Sequence, residues 1–331
     1  MPSVIERFLQ SEGGKIEKEL EAVIPRKGVP NLNDAVWYHL DSGGKRLRPV
    51  LAIATCRAFH GNERQVLPFA AACELFHNWL LVHDDIEDGD TIRRSQPALW
   101  QRFGVGHGIN VGDYMSEKVY ELVLRCGTYG LEPTRLLMLL QKVAETGVMT
   151  AIGQAHDLNT KGRQDVSEQE YMETVTLKTA LYLMLPILGA ATIAGAKEDE
   201  LKRLERFGML AGPAFQIADD ILDLTAGKGR DEIGCDIKEG KRSLMVIHCS
   251  GKCTKEERAK LYAILDKERS QTTNQDIEWV QGLFARHGSV AYAEAVAKKL
   301  IAEAKLVSAA FRPEVREVLD GFADYMIERK S

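Results

Sequence analysis

The sequence contains the acidic pattern DDxxD twice, at residues 84–88 and 219–223. Each copy follows a long apolar run, AAACELFHNWLLVH before the first and MLAGPAFQIA before the second. Residues four apart share one face of an α-helix, so Asp84 lies beside Asp88 and Asp219 lies beside Asp223. Like charges at that spacing destabilise a helix unless something neutralises them. The pattern therefore predicts two helices whose carboxylate ends need a positively charged ligand.

Carboxylate oxygens suit Mg2+, an ion that shares its coordination shell with water and phosphate oxygens. Two such clusters facing one cavity would hold a magnesium–diphosphate group. The alternative is a pair of solvated acidic helix ends, and the apolar runs disfavour it because such runs belong in a core. The candidate metal ligands are Asp84, Asp85, Asp88, Asp219, Asp220 and Asp223.

Helical periodicity extends over almost the whole chain, and no segment shows the alternation of a strand. We expect loops at 89–97 and 227–243, which are polar or rich in glycine and charge. No linker or change of composition interrupts the chain, so residues 1–331 are predicted to form one all-α domain. The predicted helices are 3–22, 33–41, one from Pro49, 64–88, 110–127, 132–159, 167–195, 198–226 and four or five shorter ones.

Composition and charge limit the classes of protein to which this chain could belong. The formal net charge of −5 disfavours a nucleic-acid binder, which normally carries a basic excess. The N-terminus lacks the pattern of a secretory signal, and we expect no stable membrane insertion because charges or polar residues interrupt every long apolar stretch. The six cysteines lack zinc-pair spacing, which predicts free thiols and a cytoplasmic protein.

Cationic side chains recur along the same helices, and guanidinium groups bind phosphate oxygens in a bidentate manner. Taken singly, each is more often a solvated surface charge. The segment GGKRLRP (43–49) is harder to explain as a plain surface turn.

His77 lies about two helical turns before Asp84 and shares its face, although a lone histidine there also fits an ordinary core. Glu74 and His77 spell the E-x-x-H of di-iron bundles, but that site needs a second copy.

These residues together resemble the trans-isoprenyl diphosphate synthase (polyprenyl synthetase) family over residues 30–250. The resemblance implies a bundle of long antiparallel helices around a deep central cavity, in a homodimer. The segments that carry it are GGKRLRP (43–49), FHNWLLVHDDIEDGDTIRR (76–94), LKTA (177–180), FQIADDILDL (215–224) and GCDIKEGKRS (234–243).

The resemblance also implies roles for individual residues. The six aspartates would hold about three Mg2+ ions, or Mn2+ in their place, on an allylic diphosphate. Asp231 stands where the family usually has a lysine, and Lys228 or Arg230 could replace it. The implied isopentenyl diphosphate pocket is Lys45, Arg48, His77 and Arg94. The implied contacts to the allylic diphosphate or the developing cation are Arg93, Lys178, Thr179, Gln216 and Lys241.

The implied reaction is Mg2+-dependent condensation of isopentenyl diphosphate with an allylic diphosphate, catalysed by the two aspartate motifs with Lys178, Thr179 and Gln216. A helical wheel alone favours Leu80 as the floor of the cavity, whereas the resemblance favours Trp79, next to Phe76. A bulky floor predicts a short product: geranylgeranyl diphosphate is the expected product, with farnesyl or longer products as alternatives. A class I terpene cyclase and a non-catalytic subunit are further alternatives, disfavoured by the complete second DDxxD and the retained cations.

Overall fold

The computed structural model describes residues 13–44, 46–225 and 233–328. Several expectations fall outside these residues: Lys45, Lys228, Arg230, Asp231 and the beginning of the predicted first helix.

Regular structure in the described residues is almost entirely helical, which confirms the all-α prediction. The helices, with two short strands, are α1 Gly13–Val23, α2 Asn33–Asp41, α3 Leu47–Ala58, α4 Glu63–Glu87, β1 Ile92–Arg93, β2 Gln96–Pro97, α5 Leu99–Phe103, α6 Val105–Thr128, α7 Pro133–Asn159, α8 Glu168–Val175, a π-helix Thr176–Ala180, α9 Leu181–Ala194, α10 Glu198–Thr225, α11 Cys235–Lys238, α12 Leu244–Ser250, α13 Lys255–Leu265, a 3-10 helix Arg269–Gln271, α14 Asn274–Arg286, α15 Ser289–Ser308 and α16 Pro313–Glu328.

Three local features differ from the sequence-based expectation. The loop predicted at 89–97 contains a small antiparallel hairpin, with β1 paired to β2; a two-residue strand is too short to show alternation. The helix predicted at 167–195 contains a π-helix, a change of hydrogen bonding that side-chain periodicity does not reveal. The loop predicted at 227–243 contains the single turn α11.

The chain divides into two compact units. Unit 1 comprises Met1–Thr146, Tyr182–Arg206 and Val307–Phe322, and unit 2 comprises Gly147–Leu181, Phe207–Leu306 and Ala323–Ser331.

The core of unit 1 is built around α4, which packs against α1, α3 and α6. Phe69, Leu75 and Phe76 of α4 are almost completely buried. Burying each such side chain contributes about 1.5–3 kcal/mol, so this part of the helix is fixed in the core. Gly189 of α9 faces the same core, and a Cβ atom there would lie 2.9 Å from Leu139 Cδ1.

Unit 2 has its own core, in which α12 packs against α8 and α14. Leu261, Leu283 and Phe284 are buried there. Helix α13 begins with a reciprocal capping box between Thr254 and Glu257, which satisfies backbone donors that the first helical turn leaves unpaired.

Two helical stretches are long and apolar enough to span a membrane, judged by their length and composition alone. They are Pro133–Asn159 and Glu168–Ala194. The most apolar part of the second is 67% buried inside the structure, as in the core helix of a globular protein. All six cysteines are free thiols, as expected.

Candidate active site

The first acidic motif forms the C-terminal end of α4 in unit 1. The carbonyl oxygen of Asp84 accepts a hydrogen bond from the backbone N–H of Asp88 at 2.8 Å, so the helical turn continues through the motif. The side chains of Asp84 and Asp88 therefore share one face, as expected, and both are partly exposed. Asp85 differs from them, because it is only 1% exposed.

The β1–β2 hairpin brings Arg93 back to the acidic motif. Arg93 Nε donates to Asp85 Oδ1 at 2.7 Å, and Arg93 Nη2 also pairs with Asp90 Oδ2 at 3.1 Å. Arg93 and Asp85 thus form a buried ion pair. Arg93, which the sequence assigned to the allylic diphosphate, neutralises a member of the motif itself in this structure.

The glycines before the basic segment have a defined role. Gly43 and Gly44 have φ values of +101° and +128°, where a side chain is strained. Arg94 donates to the Gly43 carbonyl and to Asn78 Oδ1, the latter at 3.4 Å. A Cβ atom on Gly44 would lie 3.0 Å from Arg94 Nη2. The glycine pair therefore leaves room for the Arg94 guanidinium, whose pKa is lowered by burial.

Arg48 and His77 both contact the ring of Tyr182. Both residues were expected to line the isopentenyl diphosphate pocket. The Arg48 guanidinium carbon lies 4.9 Å from the ring centroid, and His77 stacks on the same ring with centroids 6.2 Å apart. The pKa of His77 is well below its usual value, mainly because the ring is buried and also because the positive charge of Arg48 is close. The imidazole is therefore neutral. Within the described residues, Arg48 Nε and His77 Nδ1 are buried without a hydrogen-bond partner.

Two buried residues that the sequence did not assign to the site support these cations. Glu74 forms an ion pair of 2.6 Å with Arg46 and accepts a hydrogen bond from Asn78 Nδ2 at 2.9 Å. Its spacing of four residues from Asn78 on α4 is the signal that would have identified the pair. Glu74 is therefore a counter-charge for the basic segment, which explains the E-x-x-H pattern without a di-iron site.

The second acidic motif lies near the end of α10 in unit 2. Asp220 accepts hydrogen bonds from Gln216 Nε2 at 2.8 Å and from the Tyr171 hydroxyl at 2.9 Å. Asp223 is fully buried and accepts the backbone N–H of Asp236 at 3.0 Å. Asp219 is partly exposed and lines a pocket of about 250 Å³. Tyr171 and Asp236 are further residues that sequence reasoning missed.

Lys178, Thr179 and Lys241 also lie in unit 2, each held by a polar partner. Lys178 Nζ lies 2.5 Å from Asp157 Oδ2, and the Thr179 hydroxyl donates to Gln216 Oε1 at 2.7 Å. Lys241 Nζ lies 2.7 Å from Glu239 Oε2. Each unit therefore combines one acidic motif with a set of cations.

The donor set fits Mg2+. In the described part of the chain, no three His, Cys, Asp or Glu side chains form a complete metal cage. Mg2+ is typically held by one or two carboxylates together with substrate phosphates. Asp84 and Asp88, side by side and partly exposed, provide such a pair, and Asp219 provides a single carboxylate.

Comparison with known proteins gives one consistent family. The family model described as "Polyprenyl synthetase" matches residues 29–281. A "Short chain isoprenyl diphosphate synthase" of Methanothermobacter thermautotrophicus is 32% identical over 330 residues, which cover 99% of this chain and 98% of the relative. A "Geranylgeranyl diphosphate synthase" of Methanosarcina mazei is 33% identical and covers 97% of each chain. The crystal structure of geranylgeranyl pyrophosphate synthetase from Pyrococcus horikoshii Ot3 superposes with a TM-score of 0.87 at 29% identity, covering 97% of each chain.

Proposed function

Because this chain belongs to the polyprenyl synthetase family, we propose that it condenses isopentenyl diphosphate with an allylic diphosphate to give a short all-trans prenyl diphosphate. The chain is a trans-prenyltransferase of the all-α isoprenoid synthase fold. The observation that carries the proposal is the pairing, within each unit, of one DDxxD motif with enclosed cationic side chains.

Mg2+ is the proposed cofactor, at about three ions per site with Mn2+ able to replace it. Asp84, Asp88 and Asp219 are the proposed principal ligands, because they are the partly exposed members of the two motifs. The bound ions would supply positive charge to the phosphate oxygens. Asp85, Asp220 and Asp223 would support these ligands from buried positions.

The side chains have distinct proposed roles in the reaction. Lys178, Lys241 and Arg93 stabilise the diphosphate as the allylic C–O bond breaks and its electron pair leaves with the phosphate oxygen. Thr179 and Gln216 carry oxygen atoms that stabilise the resulting cation. Lys45, Arg48, His77 and Arg94 hold isopentenyl diphosphate, whose double bond attacks the cation. A proton then leaves to the released diphosphate, so no side-chain base is required. Lys228 and Arg230 remain the candidates for the cation that the family usually has at Asp231.

Geranylgeranyl diphosphate is the proposed product, in agreement with the names of the Methanosarcina and Pyrococcus relatives. Farnesyl and longer products are the alternatives. Trp79 is the proposed floor of the cavity: its ring contacts Phe76 edge to face at 4.8 Å, and both it and Leu80 pack against the core of unit 1.

We further propose that the protein is a homodimer of one domain per chain that acts in the cytoplasm, without nucleic acid or stable membrane insertion. The part of helix α7 that lies in unit 2 supports the proposal of a dimer, because Val148 is 57% exposed and Met149 and Ile152 beside it are exposed too. Such a run of apolar side chains is typical of a surface that a partner covers. Sedimentation velocity should show a dimer that Val148→Lys converts to a monomer. Leu306→Lys, at an exposed site on α15, is the control and should leave the dimer intact.

Incubation with farnesyl diphosphate alone separates the proposed function from its rivals. A prenyl synthase leaves farnesyl diphosphate unchanged until isopentenyl diphosphate is added, whereas a class I terpene cyclase releases a hydrocarbon. A non-catalytic subunit forms no product with either substrate set. We expect product from the purified chain alone, and only with both substrates present.

A further inference from the structure

The π-helix Thr176–Ala180 carries two proposed active-site residues, Lys178 and Thr179. A π-helix is rare, and a single π turn inside an α-helical stretch frequently marks a functional position. Such a turn needs support from its neighbours. The described residues of unit 2 show what provides that support.

Helix α7 approaches the π-helix through a glycine. A Cβ atom on Gly153 would lie 2.6 Å from Lys178 Cα and 2.7 Å from the carbonyl carbon of Leu177. Asp157, four residues further on the same helical face, accepts a hydrogen bond from Lys178 Nζ at 2.5 Å. Thus Gly153 sets the position of the Lys178 backbone, while Asp157 sets the position of its ammonium group.

Helix α10 repeats this arrangement. A Cβ atom on Gly212 would lie 2.5 Å from Ala180 Cα. Gln216, four residues later, accepts a hydrogen bond from the Thr179 hydroxyl at 2.7 Å. Two helices therefore each present a glycine to the π-helix backbone and a polar side chain to one of its residues.

We propose that Gly153, Asp157, Gly212 and Gln216 form a cradle for the π-helix, and that Asp157 is a positioning residue that aims the Lys178 ammonium at the substrate diphosphate. The second part rests on the proposed prenyltransferase function. A free lysine side chain has many rotamers, and fixing it before the substrate binds removes that ordering cost from the reaction. Although burial alone would raise the pKa of Asp157, Lys178 and Lys241 hold it below the usual value, so the carboxylate is charged.

A double-mutant cycle between Asp157→Asn and Lys178→Ala tests the proposal in the full-length protein. Asp157→Asn should lower kcat about tenfold, because the ammonium loses its fixed direction, and should change the KM for the allylic diphosphate much less. In the Lys178→Ala background, the same change should have no further effect on kcat. Losses that multiply in the double variant, or an unchanged kcat in Asp157→Asn, would overturn the proposal. Asp199→Asn, an equal charge change at an exposed site, is the control.

Glycine substitutions test the backbone part of the cradle. Gly153→Ala should lower kcat about tenfold or more, because the added methyl group displaces Lys178. Gly282→Ala on α14, where a Cβ atom has open space, should leave kcat unchanged. A folded Gly153→Ala variant with normal kcat would refute the backbone role. If Gly153→Ala does not fold, the same measurement on Gly212→Ala decides the backbone role, because a Cβ atom there would lie 2.5 Å from Ala180 Cα.

Binding of Mg2+-pyrophosphate, measured by calorimetry on the proteins of the cycle, separates this proposal from the proposed function. Failure of the wild-type protein to condense isopentenyl diphosphate would reject the function. The role of Asp157 would still be supported by two results together. Asp157→Asn should shift the Kd for Mg2+-pyrophosphate about threefold or more when Lys178 is present, and should leave this Kd unchanged when residue 178 is alanine. Equal shifts in both backgrounds, or no shift in either, would overturn it.

Discussion

At the scale of single residues, the aspartates of each motif are in different environments. Asp84 and Asp88 are partly exposed on one helical face, whereas Asp85 is buried and paired with Arg93. Asp220 and Asp223 are buried and hydrogen-bonded, whereas Asp219 is partly exposed. The partly exposed members are therefore suited to bind metal, and the buried ones to hold the local structure.

Substitution by asparagine should separate these two roles. Asp84→Asn and Asp219→Asn should each lower kcat by orders of magnitude. Their melting temperature without Mg2+ should stay the same or rise slightly, because like charges are removed. Asp85→Asn should instead cost about 1–3 kcal/mol of stability, since Arg93 loses a charged partner. The tests are rates with Mg2+, thermal melting with EDTA for the first two variants, and urea denaturation with EDTA for Asp85→Asn. Near-normal rates in both of the first two variants would contradict the metal assignment.

His39 should make the stability of the protein depend on pH. The pKa of His39 is lowered to about 3, mainly because the ring is buried and also because the positive charge of Arg94 is close. The unfolded chain protonates this group near pH 6.5, and the folded protein does not, so stability falls as the pH drops below 6.5. Well below pH 6.5, His39 lowers the free energy of unfolding by about 1.4 kcal/mol for each unit by which the pH falls.

The measurement is urea denaturation of wild type and His39→Gln between pH 7 and pH 5. The variant should lose stability less steeply over this range, because one buried neutral histidine is absent. Parallel pH profiles for the two proteins would show that His39 is not the responsible group.

At the scale of elements, the connections between helices place the cations. The β1–β2 hairpin carries Arg93 and Arg94, and the Gly43–Gly44 turn makes room for Arg94. The sequence predicted that this glycine pair was more than a surface turn. It could not predict the partner, because Arg94 lies about fifty residues away and the hairpin strands are too short to recognise.

Gly44→Ala tests that turn. The positive φ and the contact with Arg94 should together cost about 1–3 kcal/mol of stability. The KM for isopentenyl diphosphate should also rise, because Arg94 is displaced. Gly321→Ala on α16, where a Cβ atom has open space, should be neutral or stabilise by about 0.5–1 kcal/mol. Equal stability of the two variants would show that the turn does not constrain Arg94.

Trp79→Ala tests the proposed floor of the cavity. The product should lengthen by one or more five-carbon units, whereas Leu80→Ala should change it less. Since Trp79 is only partly buried, the stability loss should be below the roughly 3–5 kcal/mol typical of a buried aromatic side chain. Chromatography of the dephosphorylated products measures this. An unchanged product from a folded, active Trp79→Ala protein would return the assignment to Leu80 and Phe76.

At the scale of the whole molecule, the sequence predicted the all-α fold and the family, because long amphipathic runs and spaced motifs are local signals. It did not predict Tyr171, Asp157 or Tyr182, because their roles come from contacts between separate helices. It also did not predict the π-helix, because changing one hydrogen-bond register leaves the hydrophobic pattern almost intact.

The most direct test of the central claim is incorporation of labelled isopentenyl diphosphate into product by the purified chain, with Mg2+ and then with excess chelator. We predict a twenty-carbon prenyl diphosphate from a farnesyl starter with Mg2+, no incorporation with chelator, and recovery when Mg2+ is restored. Incorporation that persists without divalent metal, or a hydrocarbon released from farnesyl diphosphate alone, would contradict the account.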